Sequence, residues 1–476
     1  MPPQEIVEST IEGPQLFRRE EITKLANWRD EKEQQKNLSK TPWYIIIDNK
    51  VYDIREFVGE HPGGSVILTH IGKDATDAFY NFHPESTFEI LSNYYVGDLE
   101  PADFSIVKNG FTKELRELKE HFKQLNYYES SKSYYVFKIL SNLTIWAISC
   151  VILAHYGNTL MGIFSSATLM GLFWQQCGWL SHDFLHHQVF EKRTYNNLVG
   201  GAFLGSVCQG FTPSWWKDKH NTHHAAPNVH GQDPDIDTHP LLTWSVYALT
   251  DMFEPDFAEK FIKSRGFSPS TSRFLIKYQT LLYFPILAFA RFSWLAQSML
   301  FILPDGQNGK SVKMPVTTAE QIGLGIHYAW VATLIWLYIP KISLAITFLI
   351  SSQMICGLFL ALVFSLNHNG MRVLTEEESQ NMGFFEEQVV TGRDVISAIP
   401  AYQWWIDWFT GGLNYQIEHH LFPSIPRHHF HKIQPTIEKL CIKYKIPYHR
   451  TTFWAGTWEV FSKLEEVTAK SETLLN

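Results

Sequence analysis

The sequence predicts a chain in two parts. A small α+β domain comes first, followed by an all-α membrane domain with four transmembrane helices in two hairpins and a histidine-rich helical cap on the cytosolic side. Three observations carry this. Four apolar stretches of roughly 20 residues, the length that crosses a bilayer as a helix, lie near 135–154, 159–180, 321–339 and 342–366. Three histidine clusters follow such stretches or a tryptophan pair, and only the first hundred residues show strand-and-turn patterning. Composition agrees: 476 residues exceed one ordinary soluble domain, and 18% charged with 15% aromatic residues fit a membrane protein with sizeable aqueous parts. The net charge of -8 offers nothing to nucleic acid. Five scattered cysteines, without paired spacing, predict reduced thiols facing the cytosol.

Residues 1–14 are polar and without an apolar core, which predicts a disordered start and no cleavable signal peptide. Residues 15–100 read as the α+β domain. Trp43 to Tyr52 reads as two short strands around an Asp48-Asn49 turn. His61-Pro62-Gly63-Gly64 follows, then Phe82-His83-Pro84. Glycines after a loop histidine let backbone approach a flat ligand, because they lack Cβ, and the second histidine is placed for the other face. With Tyr52-Asp53, Gly72-Lys73-Asp74-Ala75-Thr76-Asp77-Ala78-Phe79 and Tyr95-Val96-Gly97, this domain resembles cytochrome b5 over nearly its full length. The resemblance implies a non-covalent b-type haem with His61 and His83 as axial ligands. Residues 51–100 hold nine acidic side chains against two basic ones, which is either a solvated surface or a docking face for a basic electron donor.

Residues 101–134, with Lys113-Glu-Leu-Arg-Glu-Leu-Lys-Glu120, read as a charged helical linker, and 135–455 as the membrane domain. The four apolar stretches pair into hairpins through loops at Gly157-Asn158 and Pro340-Lys341 that hold almost no Lys or Arg. Both termini and all three histidine clusters then face the cytosol. The apolar stretch 280–303, broken by Pro285 and Arg291, reads as a surface-lying or re-entrant helix. The stretch 197–212 is too short to span and reads as buried or interfacial. Residues 456–476 read as a tail.

The clusters are His182-Asp-Phe-Leu-His186-His187, His220-Asn-Thr-His223-His224 and Gln416-Ile-Glu-His419-His420. Residues three and four apart share a helix face, so each cluster presents imidazoles together. Some eight histidines exceed the four ligands of one zinc ion and suit two redox metals, iron foremost. His368, where the fourth apolar stretch ends, reaches the same side. His187 competes with His186 for the first cluster's place. Asp183 and Glu418 are either acceptors for ligand N–H groups or solvated charges. Asp233, Asp235 and Asp237 with His230 and His239 read as loop structure or as hydrogen-bond partners of the ligands. His327 reads as a tunnel-lining or a satisfied core histidine. The basic run 421–450, with His428, His429 and His431, reads as a contact for phosphate head groups or acyl-CoA, or as a solvated face.

A membrane di-metal site, a tethered one-electron carrier and no nucleotide fingerprint point to O₂-dependent attack on an unactivated C–H bond in a lipid. From about residue 15 to 455 the chain resembles front-end fatty-acid desaturases, which join cytochrome b5 to three histidine boxes. The most specific mark is Gln416, where related desaturases carry histidine, within Asn414-Tyr-Gln-Ile-Glu-His-His-Leu-Phe-Pro423. Trp179-Leu-Ser-His-Asp-Phe-Leu-His-His-Gln188 and Asn228-Val-His-Gly-Gln-Asp-Pro-Asp-Ile-Asp237 are most similar to fungal Δ6 members. The resemblance implies a di-iron centre held by His182, His186, His220, His223, His224, His419 and His420, with His368 as a further ligand. It implies linoleoyl and α-linolenoyl substrates on a lipid or CoA, O₂, NADH-cytochrome b5 reductase as electron donor, and an endoplasmic-reticulum membrane. The rival readings are a Δ5, Δ8 or sphingolipid desaturase, a lipid hydroxylase, and a membrane-anchored haem carrier without chemistry of its own.

Overall fold

The computed structural model describes residues 14–25, 42–84, 86–104, 110–308 and 312–475, so the expected disordered start lies, but for Pro14, outside the described residues. The chain divides into two compact units, Met1–Lys108 and Asn109–Asn476.

The first unit is built on a four-stranded sheet in the order β1-β4-β3-β2, from β1 (Leu16–Phe17), β2 (Tyr44–Ile47), β3 (Lys50–Asp53) and β4 (Tyr95–Leu99). The expected hairpin is present. Asp48 and Asn49 both adopt positive φ, 52° and 62°, and such a two-residue turn matches the twist of the paired strands. Phe17, Ile22, Ile46, Val51 and Leu99 close a small core on the sheet.

The second unit is mostly helical. Its long helices are α1 (Gly110–Gln124), α2 (Lys132–Tyr156), α3 (Leu160–Leu185), α4 (Pro213–Ala225), α5 (Pro269–Ala288), α6 (Ala290–Ile302), α7 (Thr318–Tyr338) and α8 (Ile342–His368). After them come a short α9 (Gln416–Leu421), then α10 (Phe430–Tyr444) and α11 (Phe453–Leu475), with a parallel strand pair β5 (Asp394–Ile396) and β6 (Arg450–Thr452). All four expected apolar stretches are helices. By length and composition, α2 and α8 are apolar enough to cross a membrane, and the bent pair α5–α6 makes a third candidate. Helices α3 and α7 have the length, 26 and 21 residues, but carry polar groups such as Gln175, Gln176 and Asp183, or Glu320 and His327. The starts are capped by sequence: Thr159 accepts from Gly162 N–H, and Thr317 with Glu320 forms a capping box. Glu320 also accepts from Ser214 N–H and Oγ–H at 2.9 and 2.7 Å, tying the start of α7 to that of α4.

The apolar run 280–303 forms the end of α5 and α6, which meet at a 61° bend. The stretch 197–212 forms a π-helix, Asn197–Gln209, with one side buried and Leu198 and Phe203 exposed on the other. Arg291, wholly buried at the bend, donates from Nε to Gln353 Oε1 at 2.7 Å, donates to the Gln209 carbonyl, and lies 4.1 Å over the Trp174 ring. His327 Nδ1–H and Trp330 Nε1–H both donate to the Val207 carbonyl, at 3.1 and 2.8 Å. A helix that ends inside protein must have its last carbonyls satisfied by side chains, and these residues do so. His327 is thus a satisfied core histidine.

Two sequence expectations are corrected. The supposed linker helix α1 packs within the second unit, because Phe111, Leu115 and Phe122 recur at helical spacing and are buried with Phe422, Ile437 and Leu440. The supposed tail is the helix α11, which buries Val460, Leu464 and Val467 and accepts Gln279 Nε2–H at the Leu464 carbonyl, 2.9 Å.

Candidate metal centre

Two sites are built, one in each unit. In the first, His61 Nδ1–H donates to the Gly64 carbonyl and His83 Nδ1–H to the Phe79 carbonyl, both at 3.1 Å. Each ring is thereby fixed with Nε2 as its lone-pair nitrogen. The ring centroids stand 6.0 Å apart. That spacing fits one ion bound by both Nε2 atoms through bonds of about 2 Å. Gly63 makes room for this, since a Cβ there would stand 2.6 Å from His61 Cε1. Gly63→Ala is expected to push the ring aside and weaken haem binding by about 10- to 100-fold, read as a shifted midpoint in haem titration at the Soret band.

In the second unit, α3, α4, α8 and α9 each bring histidines to one point. His182, His186, His220, His224 and His419 form one group, and His223, His368 and His420 another. Within each group all the ligand nitrogens lie within 4.8 Å of one another. Nε2 of His220 lies 2.9 Å from that of His186 and 3.0 Å from that of His224. His368 Nε2 lies 3.2 Å from His223 Nε2 and 3.1 Å from His420 Nε2. Both ring nitrogens of His182 are buried without a hydrogen-bond partner, the nearest carboxylate oxygen being that of Asp183 at 3.6 Å from Nδ1. Lone pairs crowded this closely repel unless a cation draws them together, so the donor set fits two metal ions. Burial, helped by the neighbouring imidazoles, pushes His220, His224, His419 and His420 well below the usual histidine range. They are neutral near pH 7 and available as ligands.

The other ring nitrogens are held from behind. His223 Nδ1–H donates to Asp233 Oδ2 at 2.9 Å, His368 Nδ1–H to the Thr391 carbonyl at 3.1 Å, and His420 Nδ1–H to Gln388 Oε1 at 2.8 Å. Burial works against charge on His223, yet the Asp233 and Asp235 carboxylates draw it up to about 9. A metal ion would displace that proton and leave a carboxylate–histidine–metal arrangement. Of the acidic cluster, Asp233 therefore supports a ligand, while Asp237 pairs with Arg265 and His230 with Asp251.

The two candidates of the first cluster stand differently. Helix α3 stops at Leu185, His187 turns into the left-handed region at φ 59°, and its ring joins neither group. The grouping takes in His186 and leaves His187 beside it. Gln416 stands with the second group, its Nε2 2.7 Å from His368 Nε2. Asp183 is buried, accepts from Tyr135 OH at 2.9 Å and pairs with Arg427. His428 packs beside Tyr134, and His429 stacks on Tyr127.

Glu418 does not touch a ligand ring. Tyr448 OH donates to it at 2.8 Å and also contacts Asp394. Burial raises both carboxyls, Glu418 well above its usual range with Asp394 adding to the shift, and Asp394 to about 6. A group raised on folding stabilises fully below its unfolded pKa, about 4 for Asp, and loses that contribution as pH climbs through its folded value. Glu418→Gln is expected to melt closer to wild type at pH 5 than at pH 8, where the variant gains relative to wild type. The difference in melting temperature at each pH checks this.

A haem-binding module joined to a histidine-rich dinuclear site among apolar helices defines a membrane-associated oxidoreductase with its own electron carrier. The chain belongs to the fatty acid desaturase family: that family's profile matches residues 158–452, and the cytochrome b5-like haem/steroid-binding domain matches residues 30–100. It is similar to an acyl-lipid (9-3)-desaturase of Physcomitrium patens, 40% identical over 434 residues that cover 89% of this chain and 75% of the relative. A Delta(8)-fatty-acid desaturase of Euglena gracilis is 33% identical, with 85% and 90% covered. The Delta(6)-fatty-acid desaturase fat-3 of Caenorhabditis elegans is 32% identical, with 86% and 93% covered. The protein is thus a front-end desaturase whose cofactors are a b-type haem and a di-iron centre.

Proposed function

We propose that this chain is a Δ6 desaturase acting on linoleoyl and α-linolenoyl chains. The observation that carries the chemistry is the convergence of eight histidines in two groups, with Gln416 beside the smaller one. The similarity to relatives named (9-3)- and Delta(6)-desaturases supports the position of the new bond. In this reading His182, His186, His220, His224 and His419 hold one iron, and His223, His368 and His420 hold the other. His61 and His83 hold the haem. Helices α2, α3, α7 and α8 span the endoplasmic-reticulum membrane in two hairpins, with both termini and the active site cytosolic, and NADH-cytochrome b5 reductase supplies electrons.

Bound iron supplies the O₂-dependent oxidising power for C–H cleavage that no side chain has. The protein's part is placement. Asp233, the Thr391 carbonyl and Gln388 hold three imidazoles in one tautomer, so their lone pairs stay aimed inward. Trp179, Leu180 and Phe184, buried on the helix that carries His182, fix that helix in the apolar core. Two electrons and two protons enter with each O₂, two hydrogens leave adjacent carbons, and two waters form. Expressed in yeast lacking such enzymes and fed linoleate, the chain is expected to yield a triunsaturated acid with its added bond at carbon 6, read by mass spectrometry. A new bond at carbon 5 or 8 would move the assignment within the family, and a product heavier by one oxygen would move it to the hydroxylases.

A further inference from the structure

Gln416 faces the three-histidine group, but an amide has two ends. Its carbonyl would be a fourth ligand, whereas its amino group would be a hydrogen-bond donor. Electron density seldom distinguishes them, and the surrounding network does. Asn367, 1% exposed, lies one residue before His368 on α8. Its Nδ2 is 3.0 Å from the Leu413 carbonyl and 2.8 Å from the far end of the Gln416 amide. The Leu413 carbonyl only accepts, so Asn367 must present its amino group there. That same amino group meets Gln416, so the end it meets is Oε1. Nε2 is left to point at the histidines, 2.7 Å from His368 Nε2. With its Nδ1–H given to the Thr391 carbonyl, His368 Nε2 is a lone pair, which the Gln416 amino group faces here and which an ion would take up in its place. The reverse arrangement would set two N–H donors face to face at the Asn367 contact, a buried clash with nothing to relieve it.

We propose that Asn367 is a positioning residue that locks the Gln416 amide with its amino group toward the three-histidine ion, making Gln416 a hydrogen-bond donor there and not a ligand. The proposal rests on the reading that the two histidine groups hold metal. It makes the two ions unequal in kind. One is surrounded by five imidazoles, while the other has three imidazoles with a donor beside them. An oxygen-containing molecule reaching the three-histidine group would meet an N–H, where a histidine in place of Gln416 would have supplied a further lone pair.

Cobalt(II) tests this in the full-length, detergent-purified chain, because its visible absorption weakens as coordination number rises. Wild type is expected to bind two cobalt ions per chain. If it binds none, the metal-centre reading itself fails, whatever Asn367 does. Gln416→Leu is expected to leave both ions and the visible band unchanged, since no ligand is lost. A changed band in that variant would make Gln416 a ligand and overturn the proposal, whether or not Asn367 variants fold. In Asn367→Asp the oxygen that replaces Nδ2 carries at most one hydrogen and cannot serve both acceptors. The Gln416 amide is then expected to turn, add its carbonyl to the ion and weaken the band several-fold. Adding Gln416→Leu to Asn367→Asp is expected to restore the wild-type band. An unchanged band in Asn367→Asp with both ions bound, or no restoration in the double variant, would refute the lock.

Discussion

Alanine at His420 is expected to leave the purified chain with one non-haem iron ion instead of two, whereas alanine one residue earlier, at His419, keeps both. The two side chains are neighbours in sequence but belong to different groups. His419 is one of five imidazoles, and its loss leaves His182, His186, His220 and His224. Four nitrogen ligands still make a complete site for a divalent ion. His420 is one of three, and its loss leaves only His223 and His368, a pair that cannot compete with water and chelators for a labile metal. Both variants are expected to lose desaturation, so activity cannot separate them; metal content per chain can. The same logic applies to the second cluster, where His223→Ala should empty one site and His224→Ala should only weaken the other. Equal metal loss in His419→Ala and His420→Ala would refute the division into five and three.

That division was only half legible in the sequence. Spacing brings His182 and His186 together, although His186 is the cap residue just past the end of α3, and it finds His368 because the residue ends an apolar helix facing the same side. It also treats His220, His223 and His224 as one set, and the fold separates them. His223 meets His368 from α8, while His224 meets His419 and His220. Which ion a histidine serves depends on what comes to meet it from another helix, and periodicity along one helix holds no such information. The choice of His186 over His187 turns on where α3 unwinds, a backbone event one residue wide. Asn367 carries no signal of its own in the sequence, since its meaning depends on the carbonyl of Leu413, 46 residues away. Arg291 read as an interruption of an apolar run, because the broken π-helix whose carbonyl it satisfies lies 82 residues earlier. The linker helix was misjudged for a simpler reason. Its charged face is conspicuous in sequence, and Phe111, Leu115 and Phe122 on the other face are not.

Arg427→Met is expected to destabilise the second unit by about 3–5 kcal/mol, the usual result of removing one member of a buried ion pair. Arg427 follows the third cluster by a few residues, and Asp183 sits inside the first, 244 positions away. Arg427 pairs with the Asp183 carboxylate through Nε and donates to the Trp179 carbonyl through Nη2. Asp183 is 2% exposed; without the guanidinium it keeps the Tyr135 hydroxyl and the His182 ring, 3.6 Å away, and no full positive charge to balance its own. The effect on the metal site follows from position. Asp183 adjoins His182 in the chain, and Trp179 is one turn earlier on the same helix, so a helix end released there no longer holds His182 and His186 against His419. Arg427→Lys keeps the charge but not the planar fork that reaches two acceptors, and it should fall between wild type and Arg427→Met. Removing both charges, in Asp183→Leu with Arg427→Met, should be milder than Arg427→Met alone, because no unpaired charge is left behind. Thermal melting of the detergent-purified chain, with iron content measured alongside, orders the four proteins. If Arg427→Met melts with wild type, the ion pair contributes nothing to holding the first and third clusters together.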